Sequence, residues 1–94
     1  MSERESDRHT VLLAPPARRA LASGLPEAVA AAAWELITGA LARDPWRVGK
    51  PLSEPYEGLH VARRGTYRVV YRIDDDKYTV TVLTVKHRRD AYRP

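Results

Sequence analysis

From Tyr67 to Asp74 the chain reads YRVVYRID, with Tyr67, Val69, Tyr71 and Ile73 pointing one way and Arg68, Val70 and Arg72 the other. A polar DDDK stretch at 74–77 separates it from a second β-branched run at 78–85, which predicts a hairpin. Setting Ile73 opposite Tyr78 places Tyr71 opposite Val80, Val69 opposite Val82 and Tyr67 opposite Thr84, all on the core side. The open side then carries Arg68 and Arg72 beside Thr79, Thr81, Leu83, Val85 and His87. A turn at 64–66 brings in a further strand at 59–63. Its Leu59 and Val61 are expected in the core, and His60, Ala62 and Arg64 on the open face.

Upstream, residues 1–9 alternate in charge without periodicity and read as a disordered lead-in. TVLLA at 10–14 is a short apolar run ended by Pro15 and Pro16, hence an edge strand. A helix of about two turns follows at 17–23, stopped by Gly24. Pro26 opens a longer helix to about Arg43, whose Leu25, Val29, Ala33, Leu36, Ile37, Ala40 and Leu41 make an apolar stripe. Trp34 lies off that stripe, either packed on the first helix or presented to a partner. Three prolines and a glycine mark 44–57 as a loop, pinned by Trp46, Val48 and Leu52. The order β-α-α-β-β-β predicts an α+β fold, two helices on one face of a small antiparallel sheet, in a single domain over 10–94.

Charge sharpens this picture. From residue 43 onward there are twelve Lys/Arg against seven Asp/Glu, whereas residues 1–42 hold four against five. No acidic residue occurs from Gly58 to Ile73, the stretch that contains Arg63, Arg64, Arg68 and Arg72. A one-sided cationic surface attracts phosphates. The chain has no cysteine, so disulfides and thiolate metal sites are excluded, in keeping with a cytoplasmic protein. No signal peptide or membrane span is expected.

The candidate chemistry follows from what is left. His9, His60 and His87 are scattered and no helix carries ligands at i, i+4 spacing, so neither a metal nor a cofactor is expected. The 74–76 carboxylates read as a turn, since the calcium-loop pattern is missing. Arg68, on the middle strand, is boxed by neighbours with no acidic partner expected beside it. One reading is a solvated sheet face. The other, strengthened by Arg64, Lys86, Arg88 and Arg89, is metal-free RNA cleavage, in which a ribose 2′-hydroxyl attacks the adjacent phosphate. Arginine suits stabilisation of the phosphorane through bidentate contacts. Its high pKa makes it a poor proton donor, leaving acid–base work to Arg, Tyr or His. Tyr92 is a candidate base, or a platform on which a nucleobase stacks.

The segments GTYRVVYRIDDD and VKHRRDAY, with DPWRVGKPLSEPYEGLHVARRG upstream, resemble the RelE/ParE superfamily of toxins from type II toxin–antitoxin pairs, and the likeness covers most of the chain from Pro15 onward. The resemblance implies a ribosome-dependent mRNA endonuclease that cuts codons in the A site and is silenced by a cognate antitoxin. On it, Arg68 corresponds to the middle-strand arginine that stabilises the transition state, Arg88 to the C-terminal arginine proposed as acid, and Tyr92 to the closing tyrosine. His60, Arg63, Arg64, Arg72, Lys86, His87 and Arg89 are then the expected RNA contacts. The best-studied RelE enzymes carry a lysine pair on the second strand, where this chain has His60 and Ala62. Two alternatives stay open: a ParE-like gyrase inhibitor, and an inactive relative that only binds RNA or antitoxin.

Overall fold

The computed structural model describes residues 8–88. Strand β1 (Thr10–Leu13) leads into helix α1 (Pro15–Arg19), which widens into a π-helical turn at Ala20–Gly24. Helix α2 (Glu27–Leu36) ends the same way over Ile37–Leu41, and a short α3 (Pro45–Val48) follows. Then come β2 (Lys50–Pro51), β3 (Leu59–Arg64), β4 (Tyr67–Asp74) and β5 (Thr79–His87). They form one five-stranded sheet in the order β1-β5-β4-β3-β2. Every pairing is antiparallel except the outermost, where β1 runs parallel to β5 with Val11 beside Val80 and Leu13 beside Val82.

The α+β class and the helix positions agree with the sequence reading. The 44–57 stretch does not, because it contains both α3 and β2. Proline does not prevent that helix: Pro45 occupies its first turn, where a backbone N–H has no helical partner anyway. The proline of β2 sits on the last strand of the sheet, where a missing donor is tolerated.

The helices cover one face of the sheet. Ala17, Ala33, Ile37 and Leu41 are fully buried against Val69, Tyr71, Val80 and Val82. The Tyr71 hydroxyl donates to the Pro45 carbonyl at 2.7 Å, and burial pushes its pKa up to about 12. Gly49 lies against that hydroxyl, so close that a Cβ would sit 2.4 Å from it and 2.6 Å from the Val61 carbonyl oxygen. Trp34, half-exposed at 48%, is no core anchor.

Of the lead-in expected over residues 1–9, residues 1–7 lie outside the described residues, and His9 is no part of a loose segment. His9 is buried, its backbone N–H donates to the Ala42 carbonyl at 2.8 Å, and its ring stacks on Tyr78 at 4.0 Å. Its Nε2 lies 3.7 Å from Asp75 in the β4–β5 turn. Tyr78 holds a left-handed φ of 56° there, a conformation costly for a large side chain that the ring stack on His9 helps to hold.

Candidate nucleic-acid interface

Register decides what the uncovered face displays. In β4–β3 pairing, Arg68 lies beside Arg63, Val70 beside Val61 and Arg72 beside Leu59. On the other flank Arg68 lies beside Lys86 and Val70 beside Thr84. Three cations therefore stand in one row across three adjacent strands, spaced about 4.8 Å apart by the sheet. Like charges placed directly opposite one another destabilise a sheet. Among the described residues, no carboxylate comes within ion-pair distance of Arg63, Arg68 or Lys86.

The β4–β5 hairpin is shifted by two residues from the expected register, with Ile73 beside Val80 rather than Tyr78 and Tyr71 beside Val82 rather than Val80, because Tyr78 belongs to the turn. Two further expectations from the sequence are corrected by the strand pairing. In β3 the faces are exchanged: Leu59, Val61 and Arg63 lie on the open face, and His60, Ala62 and Arg64 on the helix side. His60 is buried, its ring 5.5 Å from that of Tyr71 and edge-on to Trp46 at 5.1 Å. Burial lowers its pKa from 6.5, so it is neutral at pH 7 and forms no part of the open face. Arg64 turns toward the helices, donating to the Arg63 carbonyl at 2.7 Å and the Val48 carbonyl at 3.4 Å. The second correction is in β5, where Tyr71 pairs with Val82 but Val70 pairs with Thr84. Leu83 is the extra residue of a bulge, and past it the faces exchange. Val85 thus enters the core, 4% exposed, whereas Thr84 and Lys86 come to the open side.

The cation row opens into a cleft of about 470 Å³ at the β3–β4 turn, bounded by Gly65, Thr66, Tyr67, His87 and Arg88. Gly65, at φ +53°, makes the turn. The Arg88 backbone N–H bonds the Thr66 carbonyl, which ties the end of β5 to that turn and brings Arg88 to the cleft. The Tyr67 ring lines the wall, but its hydroxyl points to the Ala32 carbonyl at 3.3 Å and burial raises its pKa above 10. Arg72 shares the open face yet stands four residues along β4 from Arg68, about 13 Å away, and lines no part of the cleft. Arg89 and Tyr92 lie outside the described residues. Among those described, no group of three or more His, Asp and Glu is placed to hold a metal.

The structure thus brings Arg63, Arg68, Lys86 and Arg88 together, moves His87 from the expected open face to the helix side beside Tyr67, where it lines the cleft wall, and leaves out His60, Arg64 and Arg72. Such a surface suits polyanion binding, with Arg68 central and flanked on both sides.

Comparison with known proteins gives the lineage. Residues 7–92 match the family described as the ParE toxin of type II toxin–antitoxin systems, parDE. The chain belongs to the RelE/ParE superfamily of type II toxins. It is 51% identical over 85 residues to the toxin RelG of Mycobacterium tuberculosis, covering 90% of this chain and 97% of that toxin. It is also 51% identical over 69 residues to the toxin RelE of the same organism, covering 73% and 71%. Among solved structures, the M. tuberculosis toxin–antitoxin complex RelBE2 matches with a TM-score of 0.82 and 49% identity, over 86% of this chain and 92% of that one. The isolated Escherichia coli RelE toxin, at 18% identity and a TM-score of 0.68 over 84% and 83%, shares the fold. With 51% identity to RelG and RelE, this RelE/ParE member is a type II toxin of the RelE family.

Proposed function

We propose that this toxin is an RNA endonuclease that cuts messenger RNA on the ribosome without a metal ion and is silenced by a protein antitoxin. The observation that carries the reading is the row Arg63–Arg68–Lys86, three like charges held side by side in a rigid sheet. A polyanion relieves that repulsion, and a phosphorane, with its extra negative charge, relieves it more than the ground-state diester. In the reaction the ribose 2′-oxygen attacks phosphorus and gives up its proton to a base. The bond to the 5′-oxygen breaks as that oxygen takes a proton, leaving a 2′,3′-cyclic phosphate and a free 5′-hydroxyl. Arg68 stabilises the charge at phosphorus, with Arg63 and Lys86 on the non-bridging oxygens. Arg88, which lines the cleft, is the proposed acid at the leaving oxygen, and Tyr92 is the proposed base.

Dependence on the ribosome accounts for how a site without a strong acid or base turns over: an in-line geometry imposed from outside supplies much of the barrier reduction. An antitoxin partner is supported by the similarity to the RelBE2 toxin–antitoxin complex and by the unpaired cations that such a partner would cover. The test is cleavage of a defined message in a reconstituted translation reaction, with and without ribosomes. Site-specific cuts ending in cyclic phosphate, present only with ribosomes, support the reading. Inhibition of gyrase supercoiling without any cutting would assign the ParE activity instead.

A further inference from the structure

The cationic row borders a second cleft, of about 360 Å³, on the same open face of the sheet. Its floor is apolar, built from Leu59 and Val61 of β3 and Val70 of β4, and its outer wall is Leu52 and Tyr56. Arg63, Arg68 and Lys86 line both clefts, so the two meet along that row. Tyr56 is 57% exposed and is set in place by its own loop. Its N–H donates to the Ser53 carbonyl at 2.9 Å, its carbonyl accepts from Leu59 N–H at 3.1 Å, and Leu52 N–H closes on the Leu59 carbonyl at 2.9 Å. An aromatic ring is thus held at the edge of an apolar trough whose other edge is cationic.

We propose that this trough is a nucleobase subsite, which receives one unstacked base beside the scissile phosphate with Tyr56 as its stacking wall. The inference rests on the nuclease reading above and adds to it a site for the base. A single-stranded nucleotide offers an anionic phosphate joined through a sugar to a flat, largely apolar ring. The surface offers a cationic row joined to an apolar trough closed by an aromatic side chain. Stacking and burial discriminate weakly among bases because each has a π-face, so this subsite positions the strand more than it reads it. Among the described residues no charged side chain forms the trough floor, which argues the same way.

The test uses ribosomes carrying a message with a vacant A site, the message being intact or made abasic at one nucleotide flanking the cut. Cleavage rates are compared for the wild-type toxin, Tyr56→Ala and Tyr56→Phe. Stacking on an aromatic side chain corresponds to roughly 10-fold in rate when it acts in positioning. Removing the base at one flanking position is expected to slow the wild type by that factor, and Tyr56→Ala to slow the intact message equally. The two losses must not add, and Tyr56→Phe must restore the rate. Losses that multiply, or a Tyr56→Ala toxin as fast as wild type while Arg68→Ala is crippled, overturn the subsite and leave the nuclease reading standing. So does a Tyr56→Ala toxin that cuts normally but escapes its antitoxin, which would give the trough to a protein side chain. A wild type that cuts no message overturns both.

Discussion

Arg68 shows how much a single residue can cost and supply. It is flanked by Arg63 on one strand and Lys86 on the other, so the folded protein carries repulsion that the unfolded chain avoids. Arg68→Ala is expected to lower cleavage by about 10²-fold or more while leaving the melting temperature unchanged or raised, measured on the same preparation. A large drop in melting temperature would make Arg68 structural. Tyr71 is the converse case, a polar group whose role is stability. It is fully buried, and its pKa is pushed from 10 to about 12. The folded state therefore holds its proton more tightly than the unfolded chain, and the stability this gives is lost as pH rises from 10 toward 12, by roughly 2–3 kcal/mol in all. Tyr71→Phe should cost about 1–2 kcal/mol at pH 7, by loss of the bond to the Pro45 carbonyl. It should also flatten that alkaline decline, which denaturant titrations across pH can follow.

Among the elements, β5 carries the most instructive irregularity. Strict alternation along it would keep Val85 on the open side with His87; the bulge at Leu83 exchanges them for Thr84 and Lys86. Inserting one alanine between Thr84 and Val85 should turn Lys86 toward the helices and Val85 outward, abolishing cleavage and lowering the melting temperature by several degrees. Leu83→Ala keeps the residue count and should retain both, as thermal melts and cleavage assays will show. The bulge leaves a trace in the sequence, since apolar residues stand next to one another at Val82 and Leu83, where a regular strand would alternate. The exchange of faces in β3 is harder to read. Leu59 and Val61 outrank His60 and Ala62 in hydrophobicity, so pattern alone sends them inward. The larger side chains instead line the open trough, and the small Ala62, 1% exposed, sits under the helices. In β4 no such conflict arises, and its core face of Tyr67, Val69, Tyr71 and Ile73 was legible because the core and the polar pattern agree. The sequence also pointed to Arg68, Lys86 and Arg88. It could not say that Arg63 rather than Arg64 completes the row, because a one-residue choice of register decides it.

At the scale of the whole molecule, charge separates from fold. The excess of cations lies in the sheet half of the chain and on the face the helices leave open. Association with the cognate antitoxin should slow markedly as salt rises, with less change in dissociation, in stopped-flow and surface-binding measurements. Salt-insensitive association would point to an apolar contact around the exposed Trp34. The His9 stack has a practical corollary. It fixes the start of the described chain at the β4–β5 turn, beside Asp75 and Tyr78, whereas the cation row stands near the opposite end of β4. Six residues of strand separate Arg68 from Asp74, where that turn begins, about 20 Å. A fluorescent protein fused ahead of Arg8 would therefore be launched from the far end of the sheet, and the fusion is expected to arrest growth as the untagged toxin does. That makes the amino-terminal side the place for a reporter with which to follow the toxin in living cells.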